Sequence, residues 1–155
     1  MTQPIDVCAA VILQKGRLLL ATRRPGSHLA GKWEFPGGKK EDRETLADCI
    51  RRELREELAL DIIRAFPLFH ILHVYPEKTI RLHFLACIPH ENSSFSPKEG
   101  QKADWFSARE LEQLDMAPAD ARIVQWLRHY PSLLIPEITV VSEERTQLVA
   151  RELFT

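Results

Sequence analysis

Long apolar segments are missing from this chain. The longest uninterrupted run of apolar side chains, Val7 to Leu13, has seven residues, whereas a helix that crosses a bilayer needs about 20. The N-terminal residues 1–6 carry neither the basic region nor the apolar core of a secretory signal. We therefore expect a protein without a membrane partner and without an export signal.

Cysteine and clustered histidine are also scarce. The three cysteines, Cys8, Cys49 and Cys87, are odd in number and far apart, which argues against a disulfide framework or a thiolate zinc site. Free thiols suit a reducing compartment, so a cytoplasmic location is expected. His70 and His73 lie three residues apart without a third ligand nearby, and we interpret them as sheet residues and not as metal ligands.

The chain has no excess of charge of either sign. Its 21 basic and 22 acidic residues leave a formal net charge of −1, while nucleic-acid-binding domains present a basic surface. A nucleic acid polymer is therefore not an expected partner. With 155 residues, 45% hydrophobic and 28% charged, the composition is that of one soluble globular domain.

Hydrophobic periodicity predicts an α+β fold. A helix over residues 45–59 begins with the capping pair Thr45 and Asp48, and its apolar stripe repeats every four residues: Leu46, Ile50, Leu54 and Leu58. Further helices are predicted over residues 107–114, where Ser107 and Glu110 form a capping box, and over residues 118–130. Strands are predicted over residues 5–14, 17–22, 62–74 with a break near Pro67, 79–88 and 103–106. This order indicates a mixed sheet with helices packed on it.

Three acidic side chains of the first helix lie close together. At about 100° per residue, Glu53, Glu56 and Glu57 share an arc of roughly 100° beside the leucine stripe. A solvated charged face is one explanation, and the Arg52–Glu56 pair fits it. A divalent cation is the other, because hard oxygen ligands suit Mg²⁺ or Mn²⁺ better than zinc. The helical pattern alone leaves both explanations open.

The spacing around this helix resembles the Nudix box. Gly38 is followed after five residues by Glu44 and after seven more by the segment Arg52-Glu53-Leu54-Arg55-Glu56-Glu57-Leu58-Ala59-Leu60. Every position matches the family pattern except Ala59, where the family has glycine. Glycine adopts the left-handed conformation after a helix most easily, so we expect the alanine to affect the turn and not the metal ligands.

The flanking segments resemble the MutT-like branch of the family. They are Trp33 to Lys39 with Arg23 and His28 before it, Lys98 to Gln101 before Trp105, and Ala117 to Asp120. The resemblance covers roughly residues 5–130 and implies a Nudix domain over 1–130 with a mixed β-sheet sandwiched between helices. Its implied activity is Mg²⁺- or Mn²⁺-dependent hydrolysis of a nucleoside triphosphate to a monophosphate and pyrophosphate.

The preferred substrate implied by the branch is an oxidised nucleotide such as 8-oxo-dGTP. Three alternatives stay open: a CTP or methylated dCTP pyrophosphohydrolase, a hydrolase of another nucleoside diphosphate derivative, and a nucleotide sensor without turnover. The only partner implied is the small-molecule nucleotide.

The resemblance also assigns roles to individual residues. The metal would be held by the carbonyl of Gly37 and by Glu53, Glu56, Glu57 and Glu99. Glu53 is the first candidate for the general base and Glu99 the second, while Arg52 and Glu44 belong to the catalytic set as braces. Substrate would be bound by Arg23 and Lys39 at the phosphates, by Phe35 and Leu82 at the base, and by His28, Glu34 and Asp120. Asp120 would read the base edge, and it also has a favourable position at a helix N-terminus.

Residues 131–155 lie outside the resemblance. Ile138 to Val141 is predicted as a short strand, and an amphipathic helix is predicted from Ser142 onwards. We expect this extension to pack on the domain or across a dimer, so both a monomer and a homodimer are compatible with the sequence.

Overall fold

The chain forms eight strands and three helices within the part that the structure describes. A computed structural model describes residues 3–98 and 100–129. The strands are β1 (Ile5–Val11), β2 (Leu13–Gln14), β3 (Arg17–Thr22), β4 (Trp33–Glu34), β5 (Gly37–Lys39), β6 (Ile62–Val74), β7 (Thr79–Pro89) and β8 (Ala103–Phe106). The helices are α1 (Leu46–Leu58), α2 (Ala108–Leu111) and α3 (Pro118–His129). The predicted α+β class is confirmed. Among the described residues, no helix is long and apolar enough to cross a membrane.

The strands form two sheets. The first has the order β5-β1-β7-β6, with β1 and β7 parallel and the other pairs antiparallel, so it is mixed as predicted. The second joins β2, β3 and β4, and β8 pairs with β3. Strand β6 is continuous, so the predicted break near Pro67 is only a shift of its register against β7 between Pro67 and Phe69. The central strand β1 carries β5 on one edge, and this pairing places Gly37 and Gly38 beside α1.

The prediction of one strand over residues 5–14 is wrong. The chain leaves the first sheet after Val11 and enters the second at Leu13. Ile12 packs in the core beneath α1. Its neighbour Leu13 packs in a second core, on the face of the first sheet that α3 covers. Both side chains are apolar and buried, so the polarity pattern did not mark the change of sheet.

The leucine stripe of α1 packs on one face of the first sheet. Ile50, Leu54 and Leu58 are fully buried against Ala10 and Leu85. The opposite face of the sheet packs against α3 in a second core. Helices therefore cover both faces of the first sheet, as the resemblance implied.

Both ends of α1 follow the predictions. The Thr45 hydroxyl oxygen accepts a hydrogen bond of 3.0 Å from the backbone N–H of Asp48. At the other end Ala59 adopts the left-handed conformation, with φ 51° and ψ 32°, and its N–H donates to the carbonyl of Arg55. The turn that usually holds glycine is thus kept with an alanine.

We expect Ala59→Gly to stabilise the protein. A left-handed alanine costs about 1–2 kcal/mol, part of which is offset because glycine loses more conformational freedom on folding. The free energy of unfolding should therefore rise by about 0.5–1 kcal/mol in urea denaturation. Ala47→Gly, in the first turn of the same helix, is the matched control and should lower it, by up to about 1 kcal/mol. Equal destabilisation by both changes would contradict the strain at Ala59.

Two other helix predictions have different outcomes. The N-cap at Ser107 is confirmed, because its hydroxyl oxygen accepts from the N–H of Glu110, and the hydroxyl also donates to the Glu110 carboxylate. The helix that follows ends at Leu111 and not at residue 114 as predicted. The predicted strand and helix within residues 131–155, and with them the domain boundary at residue 130, lie outside the described residues.

Candidate active site

A cavity of about 390 Å³ opens between β5, α1, the start of α3 and the turn that joins β6 to β7. It brings together ten of the predicted site residues: Arg23, His28, Glu34, Phe35, Gly37, Lys39, Glu53, Glu57, Leu82 and Asp120. Carboxylates lie at the end near α1, and apolar side chains line the other end. A single cavity therefore joins an acidic region to an apolar one.

Two glycines allow β5 to lie against the acidic end. A Cβ added to Gly37 would come within 1.9 Å of the carbonyl oxygen of Cys8, and one added to Gly38 would come within 2.4 Å of the Glu53 carboxylate. Any larger residue would displace the neighbouring strand at Gly37 or the Glu53 side chain at Gly38. The close approach explains why glycine is required at these two positions.

Glu57 is the most deeply buried acid of α1. The residue is 8% exposed, and its Oε2 has no hydrogen-bond partner among the residues that the structure describes. Burial, together with the charges of Glu34 and Glu53, raises the pKa of Glu57 to about 8. Burial also raises the pKa of Glu53. An unpartnered buried carboxylate oxygen is costly unless a hydrogen-bond donor or a positive charge compensates it.

The pKa of Glu57 predicts a pH dependence of stability in the metal-free protein. In EDTA the unfolded chain releases this proton near 4.5 and the folded chain holds it up to about 8, so the folded state binds more protons in between. The free energy of unfolding should fall as the pH rises through this window, by about 3–5 kcal/mol from this group. Urea denaturation at pH 5 and pH 8 measures the change.

Glu57→Gln removes this titration and should flatten the pH dependence. Glu56→Gln is the matched control, since the Glu56 side chain is 57% exposed, and it should leave the dependence as it is. A wild-type stability that is constant or rises across the window would contradict the deep burial of the Glu57 carboxyl group.

Arg52 ties the acidic helix to the loop before it. Its guanidinium forms two hydrogen bonds to the Glu44 carboxylate, and Nη1 donates to Oε1 of Glu53 at 2.9 Å. The pairing with Arg52 lowers the pKa of Glu44 to about 2. Nη2 also donates to the carbonyl of Lys39. These contacts match the bracing role expected for Arg52 and Glu44.

Glu56 does not line the cavity. Its Oε2 accepts from Nη1 of Arg52 at 3.2 Å on the exposed side of α1. Within the ranges that the structure describes, no three carboxylate, imidazole or thiol side chains converge as metal ligands. Repulsion between the carboxylates of α1, together with the ion pair between Glu56 and Arg52, keeps these side chains apart. Glu99, the other predicted ligand, lies outside the described residues.

Arg23 forms hydrogen bonds to two neighbouring residues of the cavity. Its Nη1 donates to Oε2 of Glu34 at 2.8 Å, and its Nε donates to the carbonyl of His28. Burial raises the pKa of Glu34 despite this partner. The Arg23–Glu34 pair thus fixes the loop that carries His28 against β4.

The apolar end contains one buried carboxyl group. Asp120 is 5% exposed, lies in the first turn of α3, and accepts a hydrogen bond of 3.0 Å from the N–H of Phe35. Burial raises its pKa well above the usual range, and the charge of Glu34 adds to the effect. Phe35 packs edge-on against Phe84, and Leu82 lies in the same core cluster. Asp120 therefore lies at the start of α3 and lines the cavity, and its contact with the base edge stays a prediction.

The chain also matches a family model described as a NUDIX domain, over residues 8–126. It belongs to the Nudix family. The chain is 36% identical to the CTP pyrophosphohydrolase of Escherichia coli, over 78% of this chain and 89% of that one. It is 32% identical to the 8-oxo-dGTP diphosphatase of the same organism, over 80% and 96% of the two chains. The solution structure of the E. coli ORF135 protein superposes with a TM-score of 0.70 at 33% identity, over 83% and 94% of the chains.

This Nudix hydrolase has cavity residues that the sequence did not indicate. Tyr75 and Lys78 reach the cavity from the turn between β6 and β7, and the Tyr75 ring meets the His28 ring edge-on at 5.3 Å. Gln101, which belongs to the segment Lys98 to Gln101 quoted above but had no role assigned to it, lines the same cavity. Sequence reasoning missed Tyr75 and Lys78 because their turn lies far from the Nudix box along the chain.

Proposed function

We propose that this Nudix hydrolase is a pyrophosphohydrolase that uses Mg²⁺ or Mn²⁺ and acts on nucleoside triphosphates. The observation that carries the proposal is the single cavity with carboxylates at one end and an apolar, carboxyl-bearing pocket at the other. A triphosphate with its metal suits the first end and a nucleobase suits the second. The relatives named above are hydrolases, which favours turnover over nucleotide sensing.

The acidic end fits a divalent cation. The unpartnered Oε2 of Glu57 is a hard, buried oxygen in need of positive charge, and Glu53 lies in the same cavity. Oxygen donors of this kind suit Mg²⁺ or Mn²⁺. We propose Gly37, Glu53, Glu57, Glu56 and Glu99 as the metal-binding set. When bound, the metal neutralises phosphate charge and lowers the pKa of a water ligand.

The side chains of the site then have distinct tasks. Arg52 holds Oε1 of Glu53, so we propose Oε2 as the atom that accepts the proton of the attacking water. Arg23 and Lys39 would bind phosphate oxygens. Water attacks the β-phosphorus, the bond from that phosphorus to the α,β-bridging oxygen breaks, and the monophosphate and pyrophosphate leave. Positioning and electrostatics carry most of such a reaction.

The base favoured by the site is oxidised guanine. Because burial raises the pKa of Asp120, its carboxyl group is protonated over a wider pH range and can both donate and accept hydrogen bonds. Such a group can pair with the edge of 8-oxoguanine, which offers donors and acceptors. Cytosine is the second candidate, because an ionised Asp120 would accept from its amino group, and the relative that is 36% identical is a CTP pyrophosphohydrolase.

Hydrolysis in ¹⁸O-labelled water tests the reaction. With Mg²⁺ and a panel that includes 8-oxo-dGTP, dGTP, CTP and 5-methyl-dCTP, we expect label in the pyrophosphate and none in the monophosphate. Mass spectrometry of the two products decides this. Label in the monophosphate would mean attack at the α-phosphorus, and release of inorganic phosphate alone would overturn the proposed cleavage. ADP-ribose in the same panel tests the alternative class of substrate.

A further inference from the structure

Arg24 is a cavity residue that has no task in the proposed function. It lines the cavity together with Glu34, Glu53 and Glu57. The residue is exposed, so a ligand that enters the cavity has access to it. Arg24 follows Arg23 directly, where the chain has left β3 for the loop that leads to β4. Two consecutive arginines therefore lie at this cavity.

Backbone contacts hold the loop at Arg24. The carbonyl of Arg24 accepts hydrogen bonds from the N–H of Ser27 at 3.2 Å and from its hydroxyl at 2.6 Å. The next residue, Pro25, lies close to Gly100, where an added Cβ would come within 3.3 Å of the proline ring. These contacts fix the backbone from which the Arg24 side chain extends.

The positive charge of Arg24 acts on three carboxyl groups of the cavity. Burial raises the pKa of Glu34, Glu53 and Glu57. The charge of Arg24 opposes this rise in pKa at all three groups. Arg23 forms its ion pair with one of them, Glu34, at 2.8 Å. Arg24 thus compensates negative charge across the whole acidic end, which includes the proposed metal ligands Glu53 and Glu57.

A divalent cation and Arg24 compete for the same negative charge. Both are positive, so a cation bound by Glu53 and Glu57 and the guanidinium group of Arg24 repel each other. A triphosphate brings new negative charge to the same end of the cavity. A guanidinium group binds phosphate oxygens through parallel N–H groups. The best partner of Arg24 is therefore a carboxylate without the metal and a phosphate with it.

We propose that Arg24 is a substrate-binding residue that compensates the carboxylates of the metal-free site and binds substrate phosphate when the divalent cation is present. This proposal rests on the metal-dependent function proposed above. It predicts effects of opposite sign on two ligands, because Arg24 disfavours binding of the metal alone and favours binding of the triphosphate. A residue that only supports the fold would favour both.

Binding of Mn²⁺ without nucleotide measures the first effect. Free Mn²⁺ is followed by electron paramagnetic resonance during titration of the full chain at low ionic strength. Arg24→Gln removes the charge, and we expect its dissociation constant for Mn²⁺ to fall about threefold or more. Arg17→Gln is the matched control, because Arg17 is an exposed arginine of β3 that does not line the cavity. It should stay within twofold of the wild type for both ligands.

Binding of a triphosphate analogue measures the second effect. The analogue α,β-methylene-dGTP cannot be cleaved at the proposed bond, and its binding at saturating Mg²⁺ is measured by calorimetry. We expect the dissociation constant to rise about tenfold or more in Arg24→Gln, which loses a hydrogen bond between charged groups. Arg24→Lys keeps the charge without the parallel N–H groups. It should bind Mn²⁺ within twofold of the wild type and lose less affinity for the analogue than Arg24→Gln.

Opposite shifts in Arg24→Gln are the result that supports the proposal. Weaker binding of both ligands, or a change within twofold for either ligand, overturns it. The same two shifts in Arg17→Gln also overturn it, because they would follow from net charge alone. If thermal melting in EDTA shows that Arg24→Gln does not fold, Arg24→Ala replaces it with the same expectations.

The outcomes also separate this proposal from the proposed function. A wild type that neither binds Mn²⁺ nor hydrolyses nucleotides would overturn the metal-dependent function itself. A wild type that binds Mn²⁺ and turns over substrate, with Arg24→Gln unchanged in both affinities, would overturn only the role of Arg24.

Discussion

Glu53→Gln should lower kcat by about 10²–10⁴-fold at saturating Mg²⁺, the usual effect of losing a general base. The amide keeps the shape of the carboxylate, and its oxygen still accepts from Nη1 of Arg52, so the fold should be preserved. What is lost is the basicity of Oε2 and one negative charge at the acidic end. Steady-state kinetics with 8-oxo-dGTP and CTP measure the effect.

Two control variants accompany Glu53→Gln. Glu91→Gln, in an exposed loop, should keep the activity of the wild type. Glu56→Gln should cost less than Glu53→Gln, because Glu56 pairs with Arg52 on the exposed side of α1 and does not line the cavity. Turnover near the wild-type rate by Glu53→Gln would exclude it as the base, and Glu99 would then be tested in the same way.

Asp120→Ala should lower kcat/KM for the best nucleotide. The expected loss of transition-state stabilisation is about 1–3 kcal/mol, the cost of leaving buried polar groups unpaired. The activity on poor substrates should change less, because the acidic end is untouched. The discrimination between the best and the worst base should therefore shrink. Competition between 8-oxo-dGTP, dGTP and CTP measures this ratio directly.

Asp120→Asn is the matched variant for this prediction. Its amide oxygen can still accept from the N–H of Phe35, which the alanine leaves without a partner. The asparagine always offers a donor, as a protonated aspartic acid does. We expect Asp120→Asn to retain activity on 8-oxo-dGTP and to lose activity on CTP if an ionised carboxylate reads cytosine. Equal losses on all nucleotides in both variants would assign Asp120 to the fold alone.

The features that were predictable from the sequence are local ones. The capping of α1 by Thr45 and the burial of its apolar stripe depend on residues three or four positions apart. The left-handed turn at Ala59 follows from its place after the helix. The predicted bracing by Arg52 and Glu44 involves residues eight positions apart, joined by the N-terminal half of one helix and the loop before it. Short-range geometry of this kind is almost the same in any fold that contains the helix.

The sequence by itself determined the family, the α+β class and the acidic helix, because fixed spacing on one helix is a property of the chain alone. Only the tertiary structure decided the change of sheet at Ile12 and the outward turn of Glu56. It also brought Tyr75 and Gln101 to the cavity. These features depend on which strands pair and which buried charges find partners. Such choices are made between residues far apart in sequence, where burial and long-range packing outweigh local pattern.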